Sequence, residues 1–384
     1  MAIDRNPTHL SKPDRLYLDH AATTPVLGQA RAAMAEALAD WANPSSPHGD
    51  GRRARAALEA ARRAIATELD WRHDVIFTSG ASEAIEMAAR RVGPARRVLG
   101  STEHDAVIAA MGGAAMGGAA MGEGATVLPV DGNGLIDLDA LDAALASGPA
   151  QVAIQLVNNE TGVIQPIDRI ADMVRGAGSM LLCDCAQAAG KIALAPIAPL
   201  DADFVAISGH KFGGPPGAGA LLARDLALLS PSGGQERGYR RGTENLPAAA
   251  GMAAALVSRA FIDALPRLAW LRSQLEEQIV TAGGVVIAAE APRIATIGAY
   301  AMPGVESASQ LAQLDLAGIS VSAGSACSSG SMKPSRVLSA MGIPADVARS
   351  TIRVSFGPST STADIERLVA EWRRVRDRST AAAA

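Results

Sequence analysis

The chain of 384 residues is 48% hydrophobic and 19% charged with a formal net charge of -4: enough for two domains and a large core, and too acidic for a general affinity for nucleic acid or anionic membrane. Its three cysteines are Cys183, Cys185 and Cys327; two stand one residue apart, so neither a disulfide framework nor zinc-type spacing is expected, and a reducing cytoplasmic setting is. Residues 1–15 lack the apolar stretch of a targeting signal, and no window approaches the roughly 20 apolar residues that span a bilayer.

Tyr17 to His20 reads as a short strand, and Thr24 with Pro25 starts an alanine-rich helix reaching Trp41. After the polar loop NPSSPHGDG, residues 52–69 carry apolar side chains at helical spacing, with arginines on the solvated face. Asp74 to Thr78 is a β-branched and aromatic strand running straight into SGASEAIEMAARRV, helical from Ala81. The first-turn N–H groups of that helix and the Ser82 hydroxyl suit a phosphate, although the same turn is common in α/β proteins that bind none. Arg97 to Gly100 is a second strand, leading to His104 near a helix start, where packing or capping is a commoner role than catalysis. The Met-Gly-Ala repeat over residues 111–124 loses about 1 kcal/mol of helix stability per glycine and carries no chemistry.

Apolar runs at 126–130, 151–157 and 180–183 then alternate with helical patterns near 137–145 and 167–175. The expected class is α/β, a mostly parallel central sheet with helices on both faces, whose ligands sit beyond the carboxyl ends of the strands. The polar residues at those ends are Asn158, Asn159 and Glu160, then Asp184 and Gln187, then Ser208, His210 and Lys211. Lys211 stands at the mouth of a glycine- and proline-rich turn in FVAISGHKFGGPPGAGALL. Taken alone it fits an ordinary loop lysine better than an amine kept from bulk water for Schiff-base chemistry. Residues 231–245 read as an ordered loop, and one long helix is expected from Leu246 to about Ala282. Strand-like runs at 285–288, 294–300, 319–322 and 351–356 complete a smaller α+β domain. The expected division is a large domain over 16–262 and a small one from 1–15 and 263–384, with Cys327 among small polar residues on a loop at about 322–334.

A carboxylate, an amide, a histidine and a lysine at successive strand ends, with a phosphate turn opening a helix, is what pyridoxal 5'-phosphate requires: Lys211 for the Schiff base, Asp184 for the pyridine nitrogen, Ser82 for the phosphate. The stretches YLDHAATT, NPSSPHGDGRRAR, FTSGASEAIEMA, TEHDAV, VNNETGVIQPI, CDCAQAAGK, SGHKFGGPPGAGAL, GGQERGYRRGTEN, SAGSACSSGSMKPSRVL and IRVSFG follow in order over nearly the whole chain. Together they resemble the cysteine desulfurases of the iron–sulfur-cluster and nitrogen-fixation type, in the class V aminotransferase branch of fold-type I pyridoxal phosphate enzymes.

The resemblance implies that Lys211 carries the cofactor and acts as base, that Asp184 pairs with the pyridine nitrogen, that Gln187 meets the ring hydroxyl, and that His104 stacks on the ring. It places Ala81, Ser82, Ser208 and His210 at the phosphate, with Thr243 reaching in from the second subunit of a homodimer, and Asn159 and Arg353 at the substrate carboxylate. Cys327 matches the nucleophile that takes sulfur from L-cysteine as a persulfide, leaving alanine, and hands it to an acceptor such as an iron–sulfur scaffold protein. A selenocysteine lyase or a related β-lyase on the same scaffold is the alternative. Ser82 stands where relatives often have threonine, and Cys185 where a small residue is common; neither change removes a needed group.

Overall fold

Strands form where β-branched and aliphatic residues run together, and their burial shows which of them lie inside. The computed structural model describes residues 15–93, 96–112, 124–192, 202–324 and 335–383. In chain order the strands are β1 (Leu16–Tyr17), β2 (Asp74–Thr78), β3 (Arg96–Gly100), β4 (Ala125–Leu128), β5 (Ala150–Gln155), β6 (Met180–Asp184), β7 (Phe204–Ser208), β8 (Gly219–Ala223), β9 (Val285–Val286), β10 (Ile297–Ala301), β11 (Ile319–Ser320) and β12 (Thr351–Ser355). Seven make one sheet in the order β2-β8-β7-β6-β5-β3-β4, parallel except for β8, which runs antiparallel between β2 and β7. The expected α/β class with a mostly parallel central sheet is what the chain forms.

Every residue of β5, β7 and β8 is buried, as a sheet covered on both faces demands. The two-residue period of a strand sorts the side chains between two cores. Val75, Val152, Ile154 and Val205 join the larger one, whereas Ile76, Ala153, Phe204 and Ala206 face the helices Ala81–Arg90 and Asp105–Gly112. The helix expected over 52–69 spans Gly49–Glu68, with the His48 ring accepting from the Gly51 amide. Asp137 caps the helix Leu138–Ala146 through the amides of Asp139 and Ala140, at 2.9 and 3.0 Å.

The long helix expected from Leu246 to about Ala282 is two, Leu246–Val257 and Ala260–Thr281, bent by 47°. Arg259 takes the left-handed conformation (φ 53°) at the break, which ends the first helix whatever the side-chain pattern says. Beyond it, β12, β10 and β9 form an antiparallel sheet in that order. The amino-terminal β1 pairs in parallel with β11, and Asp19 bridges Ser355, so the segment after β1 lies between the two sheets' strand ends. Among the described residues no single helix is long and apolar enough to cross a membrane.

Candidate active site

The carboxyl ends of β6 and β7 bring most of the sequence-selected residues to one place. Lys211 closes a one-turn 3₁₀ helix, Gly209–Lys211, directly after β7. Its Nζ donates to the carbonyl oxygens of Ala21 and Ala22, at 2.8 and 2.9 Å. The AATT segment after β1 folds over this turn, because Thr24 donates its amide to the His210 carbonyl (2.8 Å) and its hydroxyl to the Lys211 carbonyl (3.0 Å). Gln187, buried in the turn after β6, sends its Nε2 to the same Ala21 carbonyl at 2.8 Å. The amine and the amide therefore meet at one oxygen.

Asp184 ends β6, buried, with Oδ1 accepting from the Ala186 amide at 2.9 Å. Burial pushes its carboxyl above the usual range, while that amide and the charges of His104 and Lys211 pull it back. His104 accepts from the Ala106 amide through Nδ1 (3.1 Å), which leaves Nε2 to carry the proton of the neutral ring. Cys183 and Cys185 flank Asp184 with their sulfurs 3.5 Å apart, both buried. The hydrogen bond to Cys185 and then burial push the Cys183 thiol well up, so it is a poor nucleophile.

The turn between β2 and the helix Ala81–Arg90 is the one expected to take a phosphate. No side chain caps the helix Ala81–Arg90, Ser82 is exposed at its first turn, and the Ser79 amide is taken up by Glu83 Oε2. A Cβ on Gly219 would stand 2.5 Å from the Gly80 Cα, so only glycine lets β8 run this close beneath the turn. The Ser208 hydroxyl faces the same turn, 3.9 Å from where a Gly80 Cβ would be. His210 lies beside Thr23 (Nδ1 to Oγ1, 3.2 Å), its ring pushed down to about 4 by burial and then by Lys211 and Lys191. Thr243 is exposed on the 231–245 loop, which Arg240 ties to the turn through Glu83 at 2.8 and 3.3 Å. An uncapped helix start with two serines, a primary amine at the next strand end and a buried carboxylate suit a phosphorylated aldehyde with a basic ring nitrogen.

At the other side, Arg353 on β12 donates to the Asn159 carbonyl (2.9 Å) and to Asp19 Oδ1 (2.8 Å), and its buried Nε has no partner among the described residues. Asn159 thus meets Arg353 through its backbone, not its amide side chain. Ser322 pairs with Arg353 through both backbone groups, at 2.6 and 3.1 Å. Cys327 lies outside the described residues. Past that stretch, Ser335 donates to the buried Glu160 at 2.6 Å, and Arg336 reaches the carbonyls of Ser101 and Glu103.

Comparison with known proteins bears directly on this arrangement. The family model for aminotransferase class V matches residues 16–368. The chain belongs to the class V aminotransferase family. A cysteine desulfurase of Cereibacter sphaeroides is 38% identical over 93% of this chain and 94% of the relative, and the IscS-like cysteine desulfurase of Mycobacterium tuberculosis is 37% identical over 91% and 93%. The X-ray structure of a NifS-like protein from Rickettsia africae superposes with a TM-score of 0.86 at 28% identity, covering 94% of this chain and 99% of that one. SspA, solved in complex with cysteine, gives a TM-score of 0.75 at 27% identity over 90% and 100%. This class V aminotransferase fold is the fold-type I arrangement.

Several residues of the site escape sequence reasoning. Asp19, Glu103, Lys191 and Arg336 all sit inside or beside matched motifs, yet their residue types give no hint of what they touch. Glu103 is the clearest case. It is fully buried, accepts from the Gln155 amide at 3.0 Å through Oε1, and leaves Oε2 without a partner among the described residues. Burial, followed by the nearby Asp184 charge, pushes its carboxyl well up, toward a neutral acid.

Proposed function

We propose that Lys211, Asp184, His104 and Cys327 carry the cysteine desulfurase activity of this chain, which removes the sulfur of L-cysteine and leaves L-alanine. The supporting observation is the meeting of the Lys211 amine and the Gln187 amide at the Ala21 carbonyl, in charge contact with the buried Asp184. Pyridoxal phosphate would be held by Lys211, by Asp184 at its ring nitrogen, by His104 and Gln187 at its ring, and by Ala81, Ser82, Ser208, His210 and a second copy's Thr243 at its phosphate. Bound there, it supplies an electron sink for the substrate's α-carbon.

The remaining work falls to the chain. The Lys211 amine takes the α-proton, having been held at the mouth of its turn by two carbonyls that can release it. Arg353 and Asn159 hold the substrate carboxylate, the guanidinium being buried and already fixed on one side by Asp19. Cys327, as thiolate, forms a new S–S bond to the substrate sulfur, and the C–S bonding pair stays with the carbon fragment that becomes alanine. A free thiol is a few per cent ionised near neutrality, and proton transfer through His104 raises its reactive fraction.

The names of the relatives and the cysteine in the SspA structure support this reading. The protein acts as a cytoplasmic homodimer with a persulfide-accepting partner protein. Its larger, cofactor-binding domain spans 16–262, and its smaller domain combines residues 1–15 with 263–384. Cys327→Ala tests the assignment. The variant keeps the visible absorbance of the cofactor and releases no sulfide from L-cysteine; sulfide at the wild-type rate overturns it.

A further inference from the structure

Lys191 is completely buried, and among the described residues no carboxylate pairs with it. Its Nζ donates to Gln187 Oε1 at 3.1 Å and lies 5.3 Å from the centre of the Phe261 ring. A buried amine without a counter-charge is costly, since desolvation penalises the charged form and Lys211 and Arg353 repel it, which together push its pKa well below the ordinary lysine value. An apolar side chain of similar length would fill the same volume without that cost, so the amine has work to do at the one polar atom it reaches among the described residues.

That atom belongs to an amide, whose two ends are nearly the same shape and opposite in hydrogen-bonding sense. Gln187 Nε2 faces the Ala21 carbonyl, the oxygen that also receives Lys211 Nζ. If the amide turned over, its oxygen would oppose the Ala21 carbonyl and would accept, not donate, at the place where the Lys211 amine works. A protonated amine has donors and no acceptor, so it meets only the oxygen end of the amide, and here it does so at the end away from Lys211.

We propose that Lys191 is a positioning residue that locks the orientation of the Gln187 amide, so that its N–H group, and never its oxygen, faces the reacting nitrogen of Lys211. The inference rests on the reading of Lys211 as the cofactor lysine. The chain of contacts runs from Lys191 through Gln187 to the Ala21 carbonyl and Lys211, and it includes no residue outside the described segments. The other titratable and charged groups around it are His20 and His210, both pushed down to about 4, with Arg353 and Asp184.

The test uses the full-length protein loaded with pyridoxal phosphate and follows its visible absorption band as a function of pH. An N–H donor beside the lysine–cofactor linkage draws electron density away and lowers the pH at which the linkage loses its proton; an oxygen in the same place raises it. Lys191→Met is expected to move the midpoint upward by about one unit, roughly the tenfold that one reversed hydrogen bond to a charged group represents. In a Gln187→Leu background, Lys191→Met is expected to add nothing. Lys191→Arg, which offers donors and no acceptor, is expected to hold the wild-type midpoint, and it decides the matter if Lys191→Met does not fold. An unmoved midpoint in Lys191→Met, a shift that persists without Gln187, or a shifted midpoint in Lys191→Arg overturns the proposal. A wild-type protein that takes up no pyridoxal phosphate fails the functional reading itself, before any variant is compared, and the proposal falls with it.

Discussion

Two charged regions of the molecule are built on opposite rules. Around the 231–245 loop the charges neutralise one another. The Arg62 side chain, 7% exposed, holds Glu236 at 2.7 and 3.1 Å, and Glu236 also receives the Phe77 amide at 2.8 Å. Arg237 pairs with Asp74 and Arg240 with Glu83. Glu236 and Arg237 both take positive φ, at 46° and 58°, a strained backbone that persists because the ion pairs over-determine it. Around the Ala21 carbonyl, by contrast, Lys191, Lys211 and Arg353 gather; among the described carboxylates Asp184 acts on Lys211, and Asp19 and Glu160 act on Arg353. Of the three, Lys191 pairs with no carboxylate among the described residues, and on the proposed reading a phosphate and a substrate carboxylate are the anions this cluster receives. One region uses charge to hold a shape; the other, on the proposed reading, keeps it for a ligand.

The contrast can be broken by exchanging its terms. Lys211→Ala is expected to lower turnover of L-cysteine by at least about a thousandfold, while the unfolding midpoint in urea stays close to that of the wild-type apoprotein. Glu236→Ala is expected to do the reverse, costing about 3–5 kcal/mol of unfolding free energy by stranding Arg62, with kcat per folded molecule little changed. A stability loss in the first variant as large as in the second would erase the distinction.

A smaller effect should appear in the pH dependence of stability. His20 is buried, and burial, then Lys191, push its ring down to about 4. The unfolded chain binds that proton near pH 6.5, before the folded one does, so the contribution is complete above about pH 6.5 and is lost as the pH falls toward 4, by about 1–3 kcal/mol. Measured by urea titration of the apoprotein across this window, His20→Gln should flatten the slope; an unaltered slope would show the ring to be irrelevant. Smallest of all, Arg240→Gln removes a partly exposed pair with Glu83 and should cost under about 1 kcal/mol. Its sharper readout is affinity for pyridoxal phosphate, expected to weaken because Glu83 also holds the Ser79 amide in the phosphate turn. Unchanged affinity would confine the pair to the shape-holding region.

Much of the fold is legible in the residues themselves. DVIFT becomes β2 and the helix starts at Ala81, as a β-branched run followed by small residues requires, and Lys211 stands at the strand end where the turn residues place it. Arg259 is different: nothing in an alanine- and leucine-rich run announces a left-handed arginine, so two helices read as one. Asn159 attracts attention as an amide side chain, yet it meets Arg353 through its carbonyl, a contact any residue type could make. Arg62 reads as one of several solvated helix arginines, because its partner is far along the chain at Glu236. Lys191 is hidden for the opposite reason, since a lysine after a glycine looks like a surface residue until its burial is seen.

The antiparallel β8 has a consequence for how the molecule comes to exist. Among the described strands β2 hydrogen-bonds to β8 alone, and β8 in turn separates it from β7. During synthesis β2 therefore waits, with both edges open, until residue 223 has been made. Its Phe77 amide waits longer still, for Glu236. Such long-range closure is slow and leaves an adhesive edge exposed meanwhile. The strand that leads into the Ala81–Arg90 helix is thus among the last elements of the sheet to be secured, and a nascent chain stalled before β8 carries that open edge.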